Sequence, residues 1–493
     1  MKYDQLAIFV GIFLLVTVVG FLAARWRRGD LKLLDEWGLA GRRFGTLVTW
    51  FLLGGDLYTA YTFVAVPALV FGTGALGLFA IPYTIIVYPL VFLVMPKFWA
   101  VCRQAGHVTP ADYVKARFDS RFLALLVAIT GIVATMPYIA LQIFGIQVVL
   151  AEMGLPIEVA LVIAFVVLAL FTYLSGLRAP ALIAVVKDVM IWAAVLIAVI
   201  WIPIKLGGFG AIFAHVPVAK QNLAPAQFAG FSTLALGSAL ALFLYPHAIT
   251  GVLSAKSARV VARNAAFLPA YSFMLGLIAL LGYMAIAAGI QPVKPYGANI
   301  IVPALLDKEL PSAVAGFAFA AIAIGALVPA SVMSIAAANL FNRNIWREYI
   351  RRRETPTEEA NVSKVVSLLV KVGAVAFIIF APTQYAITLQ LAGGVWIVQT
   401  LPAVFLGLYL GWLSRWPAIA GWAVGTALGT WMLLAEKFQS SLYPFAVGGI
   451  KTTLYIGLVS LAANLLVVLV GSAIGYALRA RRPAAEYQRP ALG

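Results

Sequence analysis

Thirteen stretches of this chain are long and apolar enough to cross a lipid bilayer, and that fixes the class of fold before any motif is read. A helical span takes about 20 mostly apolar residues. The candidates run roughly over 5–24, 47–71, 77–101, 122–149, 157–175, 181–204, 229–252, 264–290, 311–341, 363–381, 385–410, 417–435 and 452–477. Only 11% of the residues are charged and 63% are hydrophobic. A water-facing surface takes about 25% charged residues, so lipid has to cover this chain. One helical bundle is expected where a soluble chain of this length would make about two to four domains.

The positions of Lys and Arg test the span count. Cytoplasmic connections carry the excess of positive charge. Alternate connections hold 27 of the 35 basic residues, and the opposite side holds seven. Arg25, Arg42, Arg103, Arg117, Arg178, Lys187, Lys256, Arg343, Arg415 and the tail belong to the rich side. The expected topology is an N-terminus outside and a C-terminus in the cytoplasm of a bacterial inner membrane. In the first run the basic cluster follows the apolar stretch, so it reads as a retained helix and not as a signal peptide. Lys371 falls inside a span and is expected to snorkel.

The same distribution accounts for the net charge of +17 without nucleic acid. Cys102 is the single cysteine, and His107, His215 and His247 are scattered, so no cysteine or histidine metal cluster is expected. No nucleophile–base constellation points to an enzyme. Gly72-Thr-Gly74-Ala-Leu-Gly77 spells a dinucleotide fingerprint, but no strand precedes it, and it reads as a glycine-rich turn between helices.

An ionisable side chain inside the bilayer is expensive and marks function by default. Asp56 lies near the middle of the second span, in Gly54-Gly55-Asp56-Leu57-Tyr58-Thr59-Ala60-Tyr61-Thr62. Two glycines disfavour a continuous helix there. An unwound stretch frees carbonyls that can hold a cation, and it is tolerated only where it lines a cavity or is buried in protein. In the seventh span Leu244-Tyr245-Pro246-His247 interrupts the helix again, because proline lacks the N–H and clashes with the preceding turn. His247 can contact an anion or carry a proton, or simply fill space. Two broken helices in corresponding places point to a transporter site at the membrane centre. Spans two to six and seven to eleven then form five-helix halves of inverted topology.

Tyr138 and Gln142, one turn apart in the fourth span, either line the cavity or bridge helices. Asp188 reads as a carboxylate at the cytoplasmic start of the sixth span, favoured by the helix dipole or used in ion binding. Ser331 and Ser334 in the ninth span bind a cation or only fill space.

Taken in order, several segments resemble the sodium:solute symporter family over about 35–480. They are Gly41-Arg42-Arg43, Gly106-His-Val-Thr109-Pro-Ala-Asp112-Tyr113, Gly176-Leu-Arg-Ala with Lys187-Asp188-Val, Tyr245-Pro-His247, Leu340-Phe-Asn-Arg-Asn-Ile-Trp346, and Leu391-Ala-Gly393-Gly394 before Gln399. Within that family the segments around Asp56 and His247 look most like the bacterial monocarboxylate permeases. The resemblance implies an all-α integral membrane protein of the LeuT-type 5+5 inverted-repeat fold. Its parts would be an extra helix and cytoplasmic loop at 1–46, repeats at 47–205 and 229–410 joined by an external loop at 206–228, and two C-terminal helices with a tail at 411–493.

It further implies a symporter that imports a small organic solute, such as lactate, pyruvate or acetate, on a Na+ or H+ gradient. Tyr58, Thr59, Thr62, Tyr138, Gln142, Tyr245 and His247 become the substrate-site candidates. Gly54, Asp56, Leu57, Asp188, Ser331 and Ser334 become the coupling-ion candidates. Counting back without gaps from Leu340-Phe341 puts the family's adjacent hydroxyl pair on Val328 and Pro329, which leaves proton coupling open. Amino-acid or pantothenate import is the rival within transport. A sensor or a channel is the rival outside it. No resident cofactor and no protein partner are expected beyond solute, coupling ion and lipid.

Overall fold

The computed structural model describes residues 2–25, 29–351, 355–380, 386–447 and 450–480. Arg27, Arg28, Arg352, Arg353 and the basic tail beyond 480, used above in the charge count, lie outside the described residues. Among the described residues eleven helices are long and apolar enough to cross a membrane.

The first, α1 (Tyr3–Ala24), stands before the core. The first core helix is in two pieces, α2 (Thr46–Gly55) and α3 (Val66–Thr73), with a π-helical turn at Tyr61–Ala65 between them. Then come α4 (Ala80–Gln104), the short α5 (Pro110–Phe118), α6 (Arg121–Glu152), α7 (Ile157–Ser175) and α8 (Arg178–Lys205). The fingerprint at Gly72–Gly77 covers the end of α3 and a 3-10 turn that leads to α4, with no strand before it.

The second half starts with another split helix, α9 (Phe228–Leu242) and α10 (Pro246–Leu253). It continues with α11 (Ala258–Phe267), α12 (Ala270–Ala287), α13 (Ser312–Phe341), α14 (Pro356–Phe380) and α15 (Ala386–Ile397). Two helices follow the core, α16 (Arg415–Ala435) and α17 (Ile456–Ala480).

The centre is α13, which has no charged residue and is buried along most of its length. It lies against α1, α6 and α8. A helix with no polar face has to sit inside the bundle. Large apolar side chains remain exposed elsewhere, such as Leu15, Phe92, Ile200 and Leu466, where lipid meets the bundle.

One element departs from the all-helical expectation. An antiparallel hairpin, β1 (Leu442–Val447) and β2 (Ile450–Tyr455), precedes α17. Its strands are rich in aromatic and β-branched residues, which suit a pleated surface. The apolar run assigned to the last span from 452 therefore begins as strand.

The side rich in basic residues is laced together. Arg42 donates to Asp35 at 2.9 Å and to the His107 carbonyl at 2.9 Å. Arg178 donates to Glu36 at 3.1 Å and to the Ala40 carbonyl at 3.2 Å. Asn344, beyond α13, donates to Asp112 at 2.8 Å. Asp112 itself belongs to a capping box with Thr109, which starts α5. Lys371 does not snorkel: it is fully buried and donates to the Ser367 carbonyl of its own helix at 2.9 Å.

Candidate functional site

Both expected breaks are present, and local chemistry explains each. Pro246 has no N–H to give, and its ring would collide with the carbonyl four residues back. That carbonyl belongs to Leu242, where α9 ends. Pro246 then opens α10 at a first-turn position that proline suits, with Tyr245 extended before it. At the other break α2 ends on Gly55. Thr59 and Thr62 restart the chain: the Thr62 hydroxyl accepts from the Thr59 N–H at 2.9 Å and donates to its carbonyl at 2.8 Å. Gln142 reaches over from α6 and accepts from the Ala60 N–H at 2.9 Å. Gln142 and Thr62 thus cap the restarted helix.

Two clusters result. The first is ionic and lies between the α2 break and α8. Lys187 and Asp188 are fully buried, about three turns into α8 and not at its mouth. The Lys187 ammonium donates to the Gly55 carbonyl at 2.6 Å and the Tyr58 carbonyl at 3.1 Å, and pairs with Asp188 Oδ1 at 3.1 Å. Tyr271 of α12 donates to Asp188 Oδ2 at 2.6 Å. Tyr58 turns its hydroxyl away to the Tyr271 carbonyl at 3.2 Å, so it braces this cluster. Asp56 is buried with 7% exposure and makes no hydrogen bond or ion pair among the described residues.

The carbonyls held by a side-chain cation are those of Gly55 and Tyr58, each one position beyond Gly54 and Leu57. The Gly54 carbonyl accepts the Leu57 N–H at 2.9 Å instead, and Leu57 is buried. Ser331 donates to Leu327 at 2.9 Å within α13, and Thr172 of α7 donates to Ser331 at 3.1 Å. Ser334 donates to Ala330 at 2.6 Å. On α13, a Cβ at Gly325 would stand 3.7 Å from the Tyr58 carbonyl oxygen. The Gly55 and Tyr58 carbonyls are thus engaged by an ammonium, and the two serine hydroxyls donate within α13.

The second cluster is a cavity ringed by tyrosines from five elements. Tyr61, Tyr83, Tyr138, Tyr245 and Tyr455 line it with Ser238 and Gln390. About 20 Å³ is open to the centre of a water, room for one or two waters. Rings of Tyr61 and Tyr138 lie 6.5 Å apart, and those of Tyr138 and Tyr245 5.7 Å apart, so the two broken helices face each other across α6. His247 stands behind them, 5.5 Å from Tyr138, with neither ring nitrogen hydrogen-bonded. Ser238 Oγ and Gln390 Oε1 are also buried without partners. The α10 N-terminus opens beside this space with no side chain capping it.

Of the candidates from sequence, Tyr138, Tyr245 and His247 come together here. Tyr58, Thr59, Thr62 and Gln142 instead shape the break. Tyr61, Tyr83, Gln390 and Tyr455 were not assigned to the solute site from the sequence, since Tyr61 was read only within the first break and the other three lie in distant spans. Lys187 was placed in a cytoplasmic connection by the charge count. Its position next to Asp188, inside a run that is otherwise apolar, was the available signal.

Gly54 tolerates no side chain. A Cβ would lie 2.2 Å from the Tyr271 ring, which is held by Asp188 and meets Trp50 edge-on at 4.8 Å. Gly54→Ala is expected to cost about 1–3 kcal/mol of stability, read as a lower melting temperature in detergent.

The sodium:solute symporter family profile matches residues 37–425. The "Monocarboxylate transport permease protein" of Rhizobium johnstonii is 52% identical over 477 residues, covering 95% of this chain and 96% of that one. A symporter of Bacillus subtilis described as uncharacterized, YodF, is 34% identical over 469 residues, covering 93% and 91%. Among solved structures, a Na+-coupled sialic acid symporter in a substrate-bound outward-open state superposes with a TM-score of 0.77. That likeness spans 96% of this chain and 98% of the other at 17% identity, and it shows the shared LeuT-type fold. This chain belongs to the sodium:solute symporter family, and it is a multi-pass membrane protein that carries a small solute.

Proposed function

We propose that this protein imports a monocarboxylate such as lactate, pyruvate or acetate into a bacterial cell, together with a cation, across the inner membrane. Its N-terminus is outside and its C-terminus cytoplasmic. The observation that carries the substrate reading is the uncapped start of α10, next in the chain to Tyr245 of a cavity lined by hydroxyls. Backbone N–H groups and the dipole at a helix start attract a carboxylate. The unpartnered Ser238 and His247 add polar groups of the right size for one small anion. No acidic side chain lines the cavity among the described residues, so the ammonium of an amino acid finds no counter-charge there. The name of the Rhizobium relative supports the same class.

Entry of one negative charge into a negative-inside cell is opposed by about 2.3 kcal/mol per 100 mV. One cation entering with the anion cancels that. The buried, unpaired Asp56 is the group placed to meet its charge. Opening toward the cytoplasm must part Arg178 from Glu36 and Asn344 from Asp112, the contacts that lace that side.

The test is uptake of labelled lactate by reconstituted protein. Excess pyruvate or acetate should block it, and excess proline or pantothenate should not. Preloaded lactate should accelerate entry, as a carrier requires and a channel forbids. Block by an amino acid with no effect of acetate would sink the substrate reading.

A further inference from the structure

We infer that the Lys187 ammonium takes the place of a free metal cation at the break of the first core helix, so that this protein binds no sodium there. The inference rests on the reading of the chain as a cation-coupled importer and says which cation is absent from its ionic cluster.

Two independent observations lead to it. The first is occupancy of the carbonyls. An ammonium has three donors and no acceptor. Lys187 directs two of them at the Gly55 and Tyr58 carbonyls, at 2.6 and 3.1 Å, and its Nζ pairs with Asp188 Oδ1 at 3.1 Å. A second monovalent cation on the same oxygens would stand at contact distance from the first. Gly55 is what admits the lysine, since a Cβ there would lie 3.0 Å from Nζ and 3.3 Å from both Asp188 oxygens. The second is the chemistry of the facing helix. Where a sodium ion would want hydroxyls from α13, that helix brings Gly325 close to the Tyr58 carbonyl, with Val328 and Pro329 about one turn on. Ser331 and Ser334 spend their protons on their own helix. A hard cation needs several oxygens at once, and those on the break side are already taken by the ammonium.

The tethered ammonium does structurally what a bound ion would do. It joins the open turn of the α2 break to α8, and through Asp188 and Tyr271 to α12. Asp56 and Tyr58 from the break, Asp188 on α8 and Tyr271 from α12 are the titratable groups that surround it; α13 brings none. The driving cation is then a proton, which a carboxylic acid can bring with it.

The experiment has two arms. In proteoliposomes with an inward proton gradient, lactate uptake should be the same within about twofold whether choline or sodium is the salt. In detergent, exchanging choline for sodium should leave the melting temperature of the unaltered protein unchanged. Lys187→Ala empties the carbonyls and should bring sodium dependence: uptake about tenfold or more below the unaltered protein without sodium, and a melting temperature raised by at least about 2 °C with it. A saturable sodium-dependent rise in the unaltered protein overturns the inference, as does loss of its uptake in choline. If lactate is not carried at all, the substrate reading fails, and the thermal arm on the unaltered protein still decides the role of Lys187.

Discussion

Asp188→Ala is expected to destabilise the protein by about 3–5 kcal/mol, the effect of removing one partner from a buried ion pair. Lys187 is fully buried and Asp188 Oδ1 is its only carboxylate contact. Without it the ammonium keeps two carbonyls but loses its one carboxylate contact. Tyr271 also loses its acceptor at 2.6 Å, deep among Trp50, Trp192 and Tyr58. Thermal unfolding in detergent reads the loss. The double variant Lys187→Met with Asp188→Leu removes both charges and should recover most of the stability, since apolar residues of similar size replace buried pairs at little cost. A single variant within about 1 kcal/mol of the parent would show that the pair does not hold α8 to the break.

Asp56→Asn should do the opposite: a large loss of function with no loss of stability. Two buried carboxylates share one ammonium, and Lys187 contacts only Asp188. Asp56 is therefore left without a contact partner near the α2 break. Burying an unpartnered charge is costly, so a neutral amide of the same shape is neutral or stabilising. Its removal also takes away the group that meets the incoming cation. Gradient-driven accumulation should fall at least about tenfold, while exchange of lactate for lactate continues. Accumulation that survives the change would take Asp56 out of the mechanism. A fall in melting temperature beside it would assign Asp56 a structural part.

These two carboxylates also mark where the sequence was readable. Asp56 was legible because Gly54 and Gly55 announce a break, and an acid at a break inside a span has few structural uses. The α9–α10 break was legible for a like reason, as Pro246 ends a helix wherever it stands. Asp188 was misplaced by counting: its span was started at 181, whereas α8 begins at Arg178 and carries the acid inward. Lys187 suffered more, because the positive-inside rule assumes that lysines sit in loops. Tyr58 and Gln142 had the right types for a solute cavity, but backbone demands at the break claimed them first. The tyrosine ring itself was not legible, since it draws one residue each from distant spans. The hairpin hid within an apolar run that satisfied the length of a span.

Tyr455 gives that hairpin a meaning beyond its size. Its hydroxyl donates to the Leu391 carbonyl at 3.0 Å, and its N–H to Thr233 at 3.0 Å. Gly237 on α9 and Gly394 on α15 leave the room its ring needs, for a Cβ at either would come within 2.6 Å of it. A hairpin beside the bundle thus reaches the tyrosine-lined cavity and ties α9 and α15 to one side chain. Whatever slides during the transport cycle has to drag the hairpin or slip past it, so a spectroscopic label on β1 would register the stroke from the outside.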